Sequence, residues 1–298
     1  MPVKKLLRTL QSEFSFLKEA KESFYYVSRK ALSLPHERDF KALRFIPEDL
    51  PGCYIDVGAN RGQSIESIKA IKPRARVFAF EPGRLLADRL QARYQSRPDV
   101  TILPFGLAEE KEKERTLFVP VYKRWIYDAM ASFDRDSAAS WLSPTTLYWF
   151  SPDKLKLDES ICVTRRLDDQ ELQPIFIKID VQGYEYQVVK GGLSTILQYE
   201  PILLIEDFHW DDKLGQLLRE AGFEQYLFDD NGFYRANPEW VLNAYLMTRR
   251  RAGTVRQSTR HNGAAPGRSS PHDDASRALQ EPHVRDSGSK ANADHRQN

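Results

Sequence analysis

The stretch "YIDVGANRGQS" places Asp56, Gly58, Asn60 and Gly62 where an apolar run gives way to a helical pattern. Glycines at such a strand-to-helix turn let a ligand approach the backbone, and the helix that follows offers its N-H groups. A dinucleotide site would call for G-x-G-x-x-G, but here the order is G-A-N-R-G with an acid two residues upstream. Asp56 would repel a pyrophosphate. It would suit a phosphate-free cofactor bearing an ammonium and a sulfonium, which describes S-adenosylmethionine.

A second acid follows at a telling distance. Glu81, with Pro82 behind it, ends the apolar run "VFAFEPG" nineteen residues after Gly62. A carboxylate there can accept hydrogen bonds from both hydroxyls of a ribose, or it can serve simply as a helix N-cap. Gly106 and Leu107 end the next run, "VTILPFGLA", where they could line an adenine or merely turn the chain.

Two further runs end on acids. "FIKID" stops at Asp180 and "PILLIED" reaches Glu206, with His209 three residues beyond. Asp180 could hold an ammonium, orient an acceptor hydroxyl or take its proton, and it could also cap the helix that begins near Tyr184. His209 titrates in the range of a general base, although a lone histidine after a strand is commonly structural. Lys178 alternates with Ile177 and Ile179 and could pair with one of the acids, and Glu185 suits the first turn of a helix.

The elements that must position these residues alternate along the chain. Apolar runs at 54–57, 76–80, 100–105, 176–179, 202–205, 224–228 and 244–248 are separated by helical patterns at about 63–71, 85–94, 186–197 and 213–221. Such alternation predicts an α/β fold, a mainly parallel sheet with helices on both faces and ligands beyond the carboxyl ends of its strands. Residues 121–160 interrupt it with eight aromatic residues among Ser and Pro, which makes a lid, a ligand wall or an extra layer of core.

Taken together, "IDVGANRGQS", "FAFEPG", "RRLDDQEL" followed by "FIKIDVQGYEYQVVKGG", and "PILLIED" resemble the FkbM family of S-adenosylmethionine-dependent methyltransferases. The resemblance covers roughly residues 52–208, with a last strand pair to about 248. It implies a Rossmann-like class I methyltransferase fold with a seven-stranded sheet and an antiparallel last strand. It also implies S-adenosylmethionine bound at the ends of the first three strands, and methylation of a hydroxyl on a glycan or small metabolite. On this reading Asp56, Gly58, Asn60, Gly62, Glu81, Pro82, Gly106 and Leu107 bind the cofactor, while Asp180, Glu206 and His209 are the catalytic candidates. A base must activate the alcohol unless a divalent metal lowers its pKa, and no metal motif is visible.

One departure stands out. The family's turn usually reads Asp-x-Glu-Gly, and this chain has Asp180, Val181, Gln182 and Gly183. Gln keeps the size and loses the charge, which leaves room for a catalytically altered domain that binds a carbohydrate or a protein.

The 298 residues divide into a basic N-terminal extension (1–51), a methyltransferase-like domain (52–250) and a tail (251–298). Residues 1–34 hold seven Lys/Arg against three Glu, and 249–298 hold ten against five acids, so basic ends flank an acidic centre unsuited to nucleic acid. Residues 3–34 read as an amphipathic helix that packs on the domain or lies on a membrane surface. The tail has no Phe, Tyr or Trp and is expected to be disordered. Cys53 and Cys162 form no metal or disulfide pattern, and neither a signal peptide nor a long apolar run occurs, which fits a cytoplasmic protein.

Overall fold

The computed structural model describes Lys5, Thr9 and residues 35–237 and 240–257. Apart from Lys5 and Thr9, the expected helix over 3–34 lies outside the described residues, as does most of the expected tail.

The large sheet starts with β1 (Cys53–Val57), β2 (Val77–Phe80) and β3 (Val100–Leu103), joined by α1 (Gln63–Ile71) and α2 (Arg84–Tyr94). After an insertion come β8 (Pro174–Ile179), α4 (Glu185–Gly191), α5 (Leu193–Tyr199), β9 (Ile202–Glu206), α6 (Lys213–Glu220), β10 (Phe223–Phe228), β11 (Phe233–Arg235), β12 (Asn243–Thr248) and α7 (Arg249–Ala252). Strand order is β11-β10-β12-β9-β8-β1-β2-β3. Strands β3, β2, β1, β8 and β9 run parallel, and β12 lies antiparallel between β9 and β10. The short β11 adds an eighth strand, antiparallel to β10, to the seven expected.

Every residue of β1 and β8 is buried, because helices and the N-terminal segment cover both faces and the runs can be apolar throughout. Side chains still alternate between two cores. Tyr54 and Phe176 face a core that holds Phe40, Leu43, Ile65 and Tyr245. Ile55, Val57, Ile177 and Ile179 face the other, with Val188 and Leu203.

Three boundaries differ from the sequence expectation. The 3-10 turn Arg38–Phe45 buries Phe40 and Leu43 completely, so residues 35–51 are part of the domain and not of an extension. At the other end Ala252 and Val255 join the same core and Arg256 N-H bonds to the Phe45 carbonyl, carrying the folded body past residue 250. The single helix read over 186–197 is two helices, broken at Gly192. A side chain at the preceding Gly191 would overlap the Ala108 carbonyl.

The insertion is larger than its aromatic stretch. It forms a second sheet in the order β4 (Gly106–Leu107), β7 (Leu155–Arg165), β5 (Glu112–Tyr122), β6 (Trp125–Ile126), with α3 (Arg135–Ser140) between β6 and β7. β5 and β7 pair antiparallel over eleven residues, Glu112↔Arg165 to Tyr122↔Leu155. Tyr122, Trp125, Tyr127, Leu142 and Leu147 make a core of their own.

Candidate active site

Register explains why the acids converge. Asp56 on β1 is the partner of Lys178 on β8, and Ile179 is the partner of Ile205, so Asp180 and Glu206 lie side by side one residue further on. Asn243 on β12 is in turn opposite Glu206. Residues 56, 178, 180, 206 and 243 share the parity of the Tyr54 face and form a polar row across four strand ends. Over this row lie Glu37 and Asp39, to which Asn243 Nδ2 donates at 3.2 and 2.9 Å.

Lys178 is the cation at the centre of that row. Its Nζ donates to Asp180 Oδ2 at 2.7 Å, while Gln182 Nε2 donates to Asp180 Oδ1 at 2.8 Å and to Glu206 Oε2 at 3.1 Å. Burial opposes the charge on Lys178, but Asp180, Asp56 and Glu37 outweigh it and hold the ammonium on. Burial likewise opposes ionisation of Asp180, yet Lys178 and the hydrogen bonds from Glu206, Lys178 and Gln182 keep it ionised, well below the usual carboxylate range. Glu206 pays the other side of this arrangement: burial, then its hydrogen bond to Asp180 and that residue's charge, push it up to about 10. At neutral pH the two carboxyl groups therefore hold one proton, on Glu206. A glutamate in place of Gln182 would bring a third carboxyl against this pair, whereas the amide supplies two donor hydrogens.

Asp56 is fully buried, and neither of its carboxylate oxygens has a hydrogen-bond partner among the described residues. Burial, with Asp180 and Glu37 adding to it and Lys178 opposing, raises it to about 6. It lies beneath the cavity and is not part of the wall, so its influence on a ligand passes through Lys178.

The cavity opens at the carboxyl ends of β1, β2, β8 and β9. Its wall includes Gly58, Asn60, Glu81, Pro82, Gly106 and Leu107, together with Lys178, Asp180, Gln182 and Glu206. Glu81 Oε2 accepts from Asn60 N-H at 2.7 Å and Oε1 from Gly83 N-H at 2.8 Å. Burial, with Asp56 and Asp128 adding to it and those two N-H groups opposing, raises Glu81 to about 7. Gly58 has φ 83°, and a Cβ there would lie 2.0 Å from the Asp180 carbonyl oxygen, so the exits of β1 and β8 touch only because residue 58 has no side chain. Gly62, at φ 84°, stands behind the wall at the N-terminus of α1. Asn60 and Gln182, both on the wall, are non-glycine residues at φ 49° and 53°.

The alternatives left by the sequence resolve in particular ways. Asp180 does not cap the next helix, because Glu185 Oε1 accepts the N-H groups of Val181 and Gly183 and holds that turn instead. Glu81 is on the wall and also ties down the turn before α2. His209 is not brought to the cavity: its side chain is 54% exposed, stacks on Trp240 and contacts Asp207 at 3.4 Å. The histidine on the wall is His36, next to Glu37, and both come from the segment read as an extension. The insertion supplies residues 128–133, Phe133 among them, to the wall, while Tyr122, Trp125 and Tyr127 build a separate core. His36, Glu37 and Asp128 carried no local signal, since only tertiary folding brings them to the strand ends.

No group of three or more His, Cys, Asp or Glu among the described residues is arranged to hold a metal ion. No helix among the described residues is long and apolar enough to cross a membrane.

A doubly wound sheet with this strand order, an antiparallel strand inserted next to the edge hairpin and a cavity over its first strands is a class I methyltransferase fold. The model of the methyltransferase FkbM domain matches residues 56–226, and the chain belongs to that family of S-adenosylmethionine-dependent methyltransferases. It is 31% identical over 206 residues to the AMB antimetabolite synthetase AmbE of Pseudomonas aeruginosa, a match that covers 59% of this chain and 10% of that protein. The chain thus spans about a tenth of that relative's length. Among solved structures it is similar to a methyltransferase FkbM from Methylobacillus flagellatus, with 19% identity, a TM-score of 0.40 and coverage of 71% of this chain and 48% of that one. A SAM-dependent O-methyltransferase from Thermotoga maritima matches with 10% identity, a TM-score of 0.31 and coverage of 72% and 64%.

Proposed function

We propose that the protein transfers a methyl group from S-adenosylmethionine to a hydroxyl oxygen of a glycan or small hydroxylated metabolite. The observation that carries this reading is the Asp180–Gln182–Glu206 row at one end of a cavity whose other end is Glu81.

The residues present fit the cofactor. Each Glu81 oxygen accepts one backbone N-H and keeps a further acceptor position, enough for the two hydroxyls of a ribose. Pro82, Gly106 and Leu107 would offer the adenine an apolar wall, and Gly58 and Asn60 would hold the nucleoside. Around Lys178 stand Asp56, Asp180 and Glu37, an excess of negative charge that suits a ligand carrying an ammonium and a sulfonium.

When bound, S-adenosylmethionine supplies an electrophilic methyl group on its sulfonium sulfur. The protein's task is then to align an acceptor oxygen with that methyl and to handle the acceptor's proton. From its place on the wall Asp180 would accept a hydrogen bond from the acceptor hydroxyl and so orient that oxygen. With the cofactor bound, Asp180 would take that proton as the methyl leaves sulfur for the acceptor oxygen, with Lys178 and Gln182 fixing its position. Glu206, already protonated, cannot take that proton and donates to Asp180 instead. The relative named as an antimetabolite synthetase favours a small metabolite over a polymer as the acceptor.

The reading is tested with methyl-labelled S-adenosylmethionine and a panel of sugars and hydroxylated metabolites, the linkage in the product being read by NMR. An O-methyl product is expected, formed far more slowly by Asp180→Asn. Products methylated only on nitrogen or carbon, or cofactor binding with no transfer to any hydroxyl, would count against it.

A further inference from the structure

We infer that Arg61 and Asp128 form a latch that fastens the inserted sheet over the nucleoside end of the cavity, so that cofactor enters and leaves only when this ion pair parts. The inference rests on S-adenosylmethionine as the cofactor.

Arg61 follows the β1 turn, and Asp128 begins the Asp128–Met130 turn of the insertion. Arg61 Nε donates to Asp128 Oδ2 at 2.9 Å and Nη2 donates to the same oxygen, with side chains 23% and 16% exposed. Beside them Asn60 Nδ2 donates to the Asp128 carbonyl at 3.0 Å, while Asn60 N-H holds Glu81 Oε2. One residue in the left-handed region thereby ties the ribose-binding acid to the insertion. A second tie lies across the cavity, where Ser132 Oγ donates to the Gln182 carbonyl at 2.8 Å. Ser132 also exchanges backbone hydrogen bonds with Phe118 of β5, so this stretch moves with the inserted sheet.

Residues 128–133 thus bridge the exit turns of β1 and β8 and roof the space between Glu81 and Asp180. An ion pair of this accessibility contributes on the order of 1 kcal/mol. That is enough to favour the closed roof and weak enough to open in every catalytic cycle.

The test measures release of S-adenosylhomocysteine by rapid-mixing tryptophan fluorescence on the full chain, for the wild type, Asp128→Asn, Arg61→Gln and the charge-swapped double variant Arg61→Asp/Asp128→Arg. Release should quicken roughly three- to tenfold in each single variant and slow again in the swapped pair. Deuterium uptake over residues 128–133 should rise in the single variants without cofactor, which detects the roof whatever the cofactor does. Wild-type binding with unchanged release and unchanged uptake in both single variants would overturn the latch alone. A wild type that binds neither S-adenosylmethionine nor S-adenosylhomocysteine would overturn the cofactor reading, and the latch's purpose with it.

Discussion

Asp180 and Glu206 are chemically alike, sit next to one another and are pushed in opposite directions: burial raises Glu206, while at Asp180 the donating Lys178 outweighs burial. Asp180→Asn should therefore lower kcat by roughly 10²- to 10⁴-fold, with cofactor affinity changed only modestly, as steady-state kinetics and calorimetry would show. Lys178→Met leaves Asp180, Asp56 and Glu37 without their common cation. It should cost on the order of 3–5 kcal/mol in urea unfolding at neutral pH, with part of the loss recovered in mild acid where those carboxyls protonate. Glu81 is raised from 4.5 to about 7, so the folded state binds its proton more tightly than the unfolded state. Its contribution to stability is present below about pH 4.5 and is lost as the pH rises to 7. Glu81→Gln should remove that loss, a difference of up to about 3 kcal/mol by pH 8 in cofactor-free protein, while weakening cofactor binding. At this scale the strand ends bearing Gly58 and Glu81 could be placed from a local pattern, a strand end before a turn, whereas nothing local told that Asp56 would lie beneath the wall. His209 misled because its position after a strand says nothing about which way the chain then turns. His36 and Glu37 were invisible because they come from the far side of the sequence.

The exits of β1 and β8 meet through Gly58, whose missing side chain lets the Asp180 carbonyl pass. Gly58→Ala should force these two strand ends apart, costing more than about 2 kcal/mol in chemical denaturation. A melting temperature and cofactor affinity equal to the wild type would show that the turn absorbs the change. The central strands β1, β8 and β9 were readable because burial on both faces makes each a nearly continuous apolar run, whereas the short edge strand β11 was not. Nor was the β5/β7 pair, since many of its residues are charged and exposed and only long-range pairing makes it a sheet. Its aromatic stretch stood out by composition, yet most of those rings pack on one another, and of them Phe133 reaches the cavity wall, beside Asp128, Met130 and the small Ala129, Ala131 and Ser132.

Across the whole molecule, one face of one sheet gathers Asp56, Lys178, Asp180, Glu206 and Asn243 from four strands, and two other regions close over them: the 35–45 segment with His36 and Glu37, and the insertion with Asp128. The strand order and the cofactor end could be anticipated from alternation and turn chemistry, whereas both covering regions depend on contacts between residues far apart in the chain. The account's central claim is that this cavity is built for S-adenosylmethionine. It is tested most directly by calorimetric titration of the full chain with S-adenosylmethionine and, separately, with NAD. Binding of S-adenosylmethionine in the range of about 1 µM to 1 mM, abolished or strongly weakened by Glu81→Ala, with no binding of NAD, is the predicted result. No heat with S-adenosylmethionine at millimolar concentration, or equal binding by the Glu81→Ala protein, would contradict it.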